Sequence, residues 1–358
     1  MQTGPARCHR VDILPTHFRR VLGTFPTDGG RCVHLVSSER TGNVVVKVAT
    51  TDENVAALRG QVRHQTVMSS LYSTKLYPPV LAASRDFLVT PYYRSGSVAE
   101  IAQSGQGSVV LRHVSQSLRH LFSCASLEAT STLSFRQEEM AKDFMITEAR
   151  TRLARLRQTI ENHHLAARWA DAAMPRRRGS HLEEITRSVD WIVSGKINRL
   201  SRELAPRRLA LSAHGDLTLN NILVEEKAPT SSVIFIDTRG RWHAGLPWWD
   251  PMMDLATLIT FDCRPLHSAS GYAKYAEDAR YEAPLVEGSL LSLCYDEPHF
   301  LSWIARDDAW KKRVELYVAV RLLGNIGSEL KSARPGQESR ATTALARLSE
   351  QARIIDSW

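Results

Sequence analysis

The chain has 358 residues, 43% of them hydrophobic, enough to bury one large domain or two lobes. Its formal charge of +8 admits nucleic acid as a partner, but the basic residues are dispersed, and the one tight run, Arg176-Arg177-Arg178, sits between a proline and a glycine as a solvated loop. No apolar stretch approaches membrane-span length, the first residues lack a signal-peptide core, and Cys8, Cys32, Cys124, Cys263 and Cys294 show no paired spacing; these features argue against a membrane protein and against a zinc or disulfide framework, and they predict a cytoplasmic protein.

In chain order, Leu22-Gly23 and Val33-His34-Leu35-Val36 flank a turn, Thr27-Asp28-Gly29-Gly30-Arg31. Val44-Val45-Val46-Lys47-Val48-Ala49 has the pattern of a buried strand that carries one lysine, and a helix is predicted from Val55 to Leu71. Phe87 through Tyr93 reads as a strand, followed by the polar turn Ser95-Gly96-Ser97. Beyond it helical periodicity dominates: Leu111–Leu121, Phe144–Leu165, a stripe from Leu182 to Leu204 that stops near Pro206, and Val314–Leu330 before Arg334-Pro335-Gly336. A strand-like Leu209-Ala210-Leu211 precedes the most informative segment, and no internal repeat is present. The expected division is a strand-rich lobe over 1–93 and a mostly helical lobe over 94–358.

That segment runs His214-Gly215-Asp216-Leu217-Thr218-Leu219-Asn220-Asn221-Ile222-Leu223-Val224 and is followed by Val233-Ile234-Phe235-Ile236-Asp237. Two short runs of strand-formers, joined by a polar linker containing Pro229, predict a hairpin. Folding it returns Asp237 toward Asn221. Phosphoryl transfer from a nucleotide needs one carboxylate to take the proton of an attacking hydroxyl, and an amide and a second carboxylate to hold Mg²⁺ on the phosphates. Asp216 suits the first role; Asn221 and Asp237 suit the second.

His214-Gly215-Asp216…Asn221, Ile236-Asp237, Asp250 and Asp254-Leu255-Ala256 together resemble the C-terminal core of the aminoglycoside phosphotransferase and choline kinase-like family. The close match spans about residues 212–260. The resemblance implies an α+β, two-lobed protein kinase-like fold, with ATP or GTP as phosphate donor, Mg²⁺ as cofactor and a small-molecule hydroxyl as acceptor. His214 and Asp254 would then support the catalytic loop, Lys47 would reach the phosphates, the backbone at Gly29 and Gly30 would cover them, and the strand ending near Tyr93 would be the hinge beside the adenine. Thr238-Arg239-Gly240 stands where protein kinases carry Phe-Gly, which favours the small-molecule branch.

One feature departs from that pattern. The family's phosphate lysine pairs with a glutamate on the next helix, yet no Asp or Glu occurs from Asn54 to Arg85. Gln61 and Gln65 are the candidates for a neutral pairing with Lys47, and Glu53 at the helix start is the alternative. The acceptor is less legible. Acidic residues between 277 and 308 suit a cationic acceptor or an exposed surface, Arg239 and Arg241 suit an anionic acceptor or a phosphate, and Trp242, Trp248 and Trp249 suit a pocket wall or core packing. A nucleotide-binding pseudokinase and a protein-serine kinase are the rival readings. Oligomeric state is not encoded in any of these features.

Overall fold

The computed structural model describes residues 18–26, 31–38, 41–72, 76–103, 107–128, 151–156, 158, 159, 204, 206, 209–227, 230–239, 250–261, 298–304, 307–331, 341, 344, 348, 351, 352 and 354–358. They fall into two units. The first comprises 1–98, 214–216 and 220–247, and the second comprises 99–213, 217–219 and 248–358.

The first unit is built on a five-stranded antiparallel sheet. Its strands are β1 (Phe18–Pro26), β2 (Arg31–Ser38), β3 (Gly42–Ala49), β4 (Ala82–Ala83) and β5 (Phe87–Pro91), in the order β1-β2-β3-β5-β4. Alternation along β3 explains how the lysine-bearing strand is buried. Val44, Val46 and Val48 point to one face and form a core with Val36, Phe87 and Val89. Ala49 points to the other, where Leu88 and Leu58 pack together. Lys47 shares Ala49's face, which is covered by α1 (Asp52–Leu71), and only 14% of its side chain is exposed.

Helix α1 begins three residues before the hydrophobic period announces it. Thr51 is its N-cap, and the Thr51 hydroxyl accepts from Asn54 N at 3.3 Å, so the helix can start in polar sequence. A second sheet is the predicted hairpin, β6 (Ile222–Lys227) paired with β7 (Thr230–Phe235). It is tighter than expected, because Glu225, Glu226 and Lys227 are ladder residues opposite Ser232, Ser231 and Thr230, leaving only Ala228 and Pro229 between the strands. Val224 N donates to Gly96 O at 3.0 Å and Phe235 N to Leu76 O at 2.8 Å, tying the hairpin to the chain that follows β5 and to the chain that follows α1. Tyr77 packs edge-on against Phe235, with ring centroids 5.5 Å apart.

The second unit is helical in its described parts: α2 (Val98–Gln103), α3 (Gly107–Glu128), α4 (Pro251–Phe261), α5 (Pro298–Ile304) and α6 (Trp310–Lys331), with α2 starting at the boundary residue Val98. Helix α3 packs on α5 and α4, and α4 on α6. Phe122, Phe300 and Trp310 form an edge-to-face series, with centroids 4.8 and 5.1 Å apart. Residues 151–156, 158 and 159 are helical as predicted; residues 182–203 lie outside the described residues. The strand expected at Leu209–Leu211 reduces to a single bridge at Ala210. Among the described residues, no helix is long and apolar enough to cross a membrane. Cys32 is disulfide-bonded, which the scattered cysteine spacing did not announce, while Cys124 on α3 is buried and outside any disulfide.

Asp250, predicted only as part of a motif, anchors the second unit. It is fully buried, its Oδ1 accepts from Met252 N at 3.0 Å at the head of α4, and its Oδ2 accepts from Arg313 Nε at 2.6 Å. Arg313, on α6, also donates to both carboxylate oxygens of Asp307 at 3.1 and 2.5 Å and to Leu204 O at 3.4 Å. Tyr317 OH donates to Asp250 Oδ2 at 3.2 Å. Burial alone would lower the Arg313 pKa, but Asp250 and Asp307 reverse this, and the guanidinium is held charged. Asp307, one of the acidic residues considered for an acceptor, is thus engaged with Arg313. Arg313→Met leaves Asp250 buried without its counter-ion and is expected to cost about 3–5 kcal/mol, the scale for removing one partner of a buried pair. Denaturant unfolding of the variant checks this; a loss under about 1 kcal/mol would show the network to be dispensable.

Candidate active site

Of the expected site residues that are described, Lys47, Gln61, His214, Asp216, Asn221 and Asp237 are linked to one another within the first unit, whereas Asp254 belongs to the second. The hairpin register sets Ile222 opposite Phe235, and Ile236 N donates to Asn221 O at 3.0 Å, so Asn221 and Asp237 emerge at the same end of the two strands. Asn221 closes a short 3₁₀ turn, Leu219–Asn221, and its Nδ2 donates to Asp216 O at 2.8 Å. This hydrogen bond uses the Asn221 amide nitrogen, and the carbonyl oxygen of the same amide is the atom that could accept a cation.

Gly215 adopts φ 76°, a left-handed conformation open to glycine at no steric cost, and the turn brings Asp216 N to His214 Nδ1 at 3.3 Å. His214 is fully buried, and its Nε2 lies 2.8 Å from Ile236 O. A carbonyl can only accept and a backbone N–H can only donate. These two contacts therefore select the neutral imidazole with its proton on Nε2. Burial, partly opposed by Asp216 and the Ile236 carbonyl, pushes the His214 pKa down to about 4. Arg239 N donates to His214 O at 2.9 Å, so His214 ties the Asp216 loop to both sides of Asp237.

The depressed pKa makes folding sensitive to acid. Below the unfolded value of about 6.5 the unfolded chain takes up a proton that folded His214 refuses, and stability falls until folded His214 also protonates near pH 4. The full excursion is about 3 kcal/mol. Thermal melts between pH 7.5 and 4 should show this loss, and His214→Gln should flatten that part of the profile. An unchanged profile in the variant would remove His214 as its origin.

Asp237 has φ 60°, the left-handed region that costs a non-glycine residue roughly 1–2 kcal/mol, and its side chain is 44% exposed. Lys47 Nζ forms an ion pair with Asp237 Oδ1, a partner that was not among the residues expected to pair with this lysine. The glutamines behave differently from expectation. Gln61 Nε2 donates to Asp237 Oδ1 at 3.1 Å, whereas Gln65 Nε2 donates to Pro78 O at 2.7 Å and ties α1 to the following chain. The Glu53 side chain, Gly29, Gly30, Arg241, Trp242, Trp248 and Trp249 lie outside the described residues. Arg239 is exposed, and Asp254, on α4, is fully buried.

The donor set fits a hard divalent cation. Asn221 offers a carbonyl oxygen and Asp237 a carboxylate, and Mg²⁺ prefers such oxygens completed by phosphates and water. Among the described residues no three His, Cys, Asp or Glu side chains form a group that could hold a metal ion by themselves.

No protein-family profile matches the chain, and no curated protein sequence does. Solved structures do match. A choline kinase from Cryptosporidium parvum Iowa II superimposes with a TM-score of 0.56 at 11% identity, covering 97% of this chain and 92% of that one. A thermostable aminoglycoside phosphotransferase variant in ternary complex with AMP-PNP and hygromycin B gives 0.53 at 14% identity, covering 92% of both chains. A second, ADP-bound aminoglycoside phosphotransferase gives 0.53 at 12% identity, covering 95% of both. With a strand-rich first unit, a helical second unit and these neighbours over nearly its whole length, the chain has the α+β, two-lobed protein kinase-like fold of choline kinase and the aminoglycoside phosphotransferases.

Proposed function

We propose that this protein is a phosphotransferase that moves the γ-phosphate of ATP or GTP to a hydroxyl of a small molecule, with Mg²⁺ as cofactor. The observation that carries this reading is the convergence of Asp216, Asn221, Asp237 and Lys47 at one end of the β6–β7 hairpin, through the Asn221–Asp216 hydrogen bond and the Lys47–Asp237 ion pair. Asp216 is the general base: its main-chain N–H and C=O are fixed by His214 Nδ1 and Asn221 Nδ2, which sets the place of the carboxylate that takes the proton of the acceptor hydroxyl. Asn221 and Asp237 would hold the cation, which supplies charge neutralisation of the phosphates when bound. Lys47 would reach the phosphates of a bound nucleotide, and a cation held by Asp237 would then meet the charge that Lys47 meets in this structure. His214 and Asp254 support the loop, and residues 1–93 grip the nucleotide while 94–358 carry the acceptor side.

The solved neighbours that bind AMP-PNP or ADP support nucleotide use, and the choline kinase and the hygromycin B complex support a hydroxyl-bearing small molecule as the acceptor. The test is an acceptor screen with ATP and GTP over aminoglycosides, amino sugars, hexoses and amino alcohols, read as Mg²⁺-dependent transfer. A nucleotide-binding pseudokinase is the second reading, favoured by the absence of any carboxylate from Asn54 to Arg85. It predicts nucleotide binding with no transfer to any acceptor.

A further inference from the structure

We infer that Gln61 is a positioning residue for the metal-binding carboxylate of Asp237, and that it does not serve Lys47 as the helix carboxylate does in the pattern this chain resembles. The inference rests on the proposed role of Asp237. Gln61 lies midway along α1, with only 5% of its surface exposed, and directs Nε2 onto Asp237 Oδ1 at 3.1 Å. A neutral amide is the group this place demands. A carboxylate at 61 would stand against Asp237 and compete with it for Lys47, whereas the amide N–H adds a hydrogen bond to the ionised oxygen.

The need for such an anchor follows from Asp237 itself. Its backbone sits at a costly φ of 60° and its side chain is 44% exposed, so burial does not hold the carboxylate in place. Lys47 cannot be a permanent anchor if it transfers to the phosphates. Gln61 belongs to a capped helix packed on the sheet and stays in place through that exchange. By engaging Oδ1 it leaves Oδ2 for the cation, so the two oxygens have separate tasks. Loss of the hydrogen-bond partner of a metal ligand commonly costs about 10–100-fold in metal affinity or activity.

The experiment titrates Mg²⁺ against AMP-PNP binding by calorimetry, with AMP-PNP affinity without metal measured in parallel. Gln61→Met keeps volume and loses the donor; it should raise the Mg²⁺ midpoint about tenfold and leave metal-free affinity unchanged. Gln61→Glu keeps shape and also loses the donor, and it should raise the midpoint as well; it decides the matter if the Met variant does not melt cooperatively. A Gln61→Glu variant that binds metal-free AMP-PNP more tightly with an unchanged Mg²⁺ midpoint would overturn the inference and return Gln61 to Lys47. So would a well-folded Gln61→Met variant that is silent. Asp237→Ala separates the levels: if it abolishes the Mg²⁺ dependence while Gln61 variants are silent, this inference alone falls, and if Asp237→Ala keeps the dependence, the proposed role of Asp237 falls with it.

Discussion

Asp216→Asn is expected to bind nucleotide as the native protein does and to transfer phosphate about 10²–10⁴ times more slowly, the scale of a general base. The loop geometry makes this substitution clean. Asp216 is held through its own main chain, with N–H on His214 Nδ1 at 3.3 Å and C=O under Asn221 Nδ2 at 2.8 Å, so an isosteric amide leaves the loop in place. What it removes is the proton acceptor. Single-turnover measurements with an acceptor from the screen, alongside AMP-PNP affinity, read the two effects separately. Native turnover in this variant would take Asp216 out of the mechanism, and a parallel loss of nucleotide binding would show it to act on the donor side.

Asp237→Ala is expected to weaken Mg²⁺-dependent nucleotide binding by at least about 10², because it removes a charged oxygen ligand where outer partners alone are commonly worth 10–100-fold. It also releases both Lys47 and Gln61 from a shared oxygen. Asn221→Ala should cost less in metal affinity, since a neutral carbonyl is lost, but it adds a penalty in the transfer rate, because the Nδ2 bond that fixes Asp216 disappears with it. Metal titrations of AMP-PNP binding for the two variants check the order. An unchanged Mg²⁺ requirement in Asp237→Ala would sink the metal assignment, and equal transfer rates for native and Asn221→Ala protein would detach Asn221 from the loop.

The parts of the site visible from sequence are those whose partners are near in the chain. Asn221 lies five residues from Asp216, and a hairpin with complementary strand-formers must bring Asp237 back to Asn221, because the β6–β7 register leaves it nowhere else to emerge. The lysine of β3 was singled out because a charged residue within a buried alternation needs a partner, but that partner, Asp237, is far away in the chain and was not among the expected ones. Strand ends were less visible, since Glu225–Lys227 carry no apolar signal yet pair fully across the hairpin.

The glutamines mark the limit. Gln61 and Gln65 are four residues apart on one helix face and have the same side chain, so spacing and propensity give them the same expectation. Their partners are Asp237, 176 residues away, and the Pro78 carbonyl, 13 away, and nothing local distinguishes the two. Arg313 is a similar case: it stands one residue before the helix expected over Val314–Leu330, where an arginine ordinarily faces water, but the paired carboxylates of Asp250 and Asp307 draw it inside. Periodicity reports which face of an element is buried. Which polar group meets which is settled by the chain's long-range return, when burial makes each unpaired donor or charge costly and one arrangement satisfies them together.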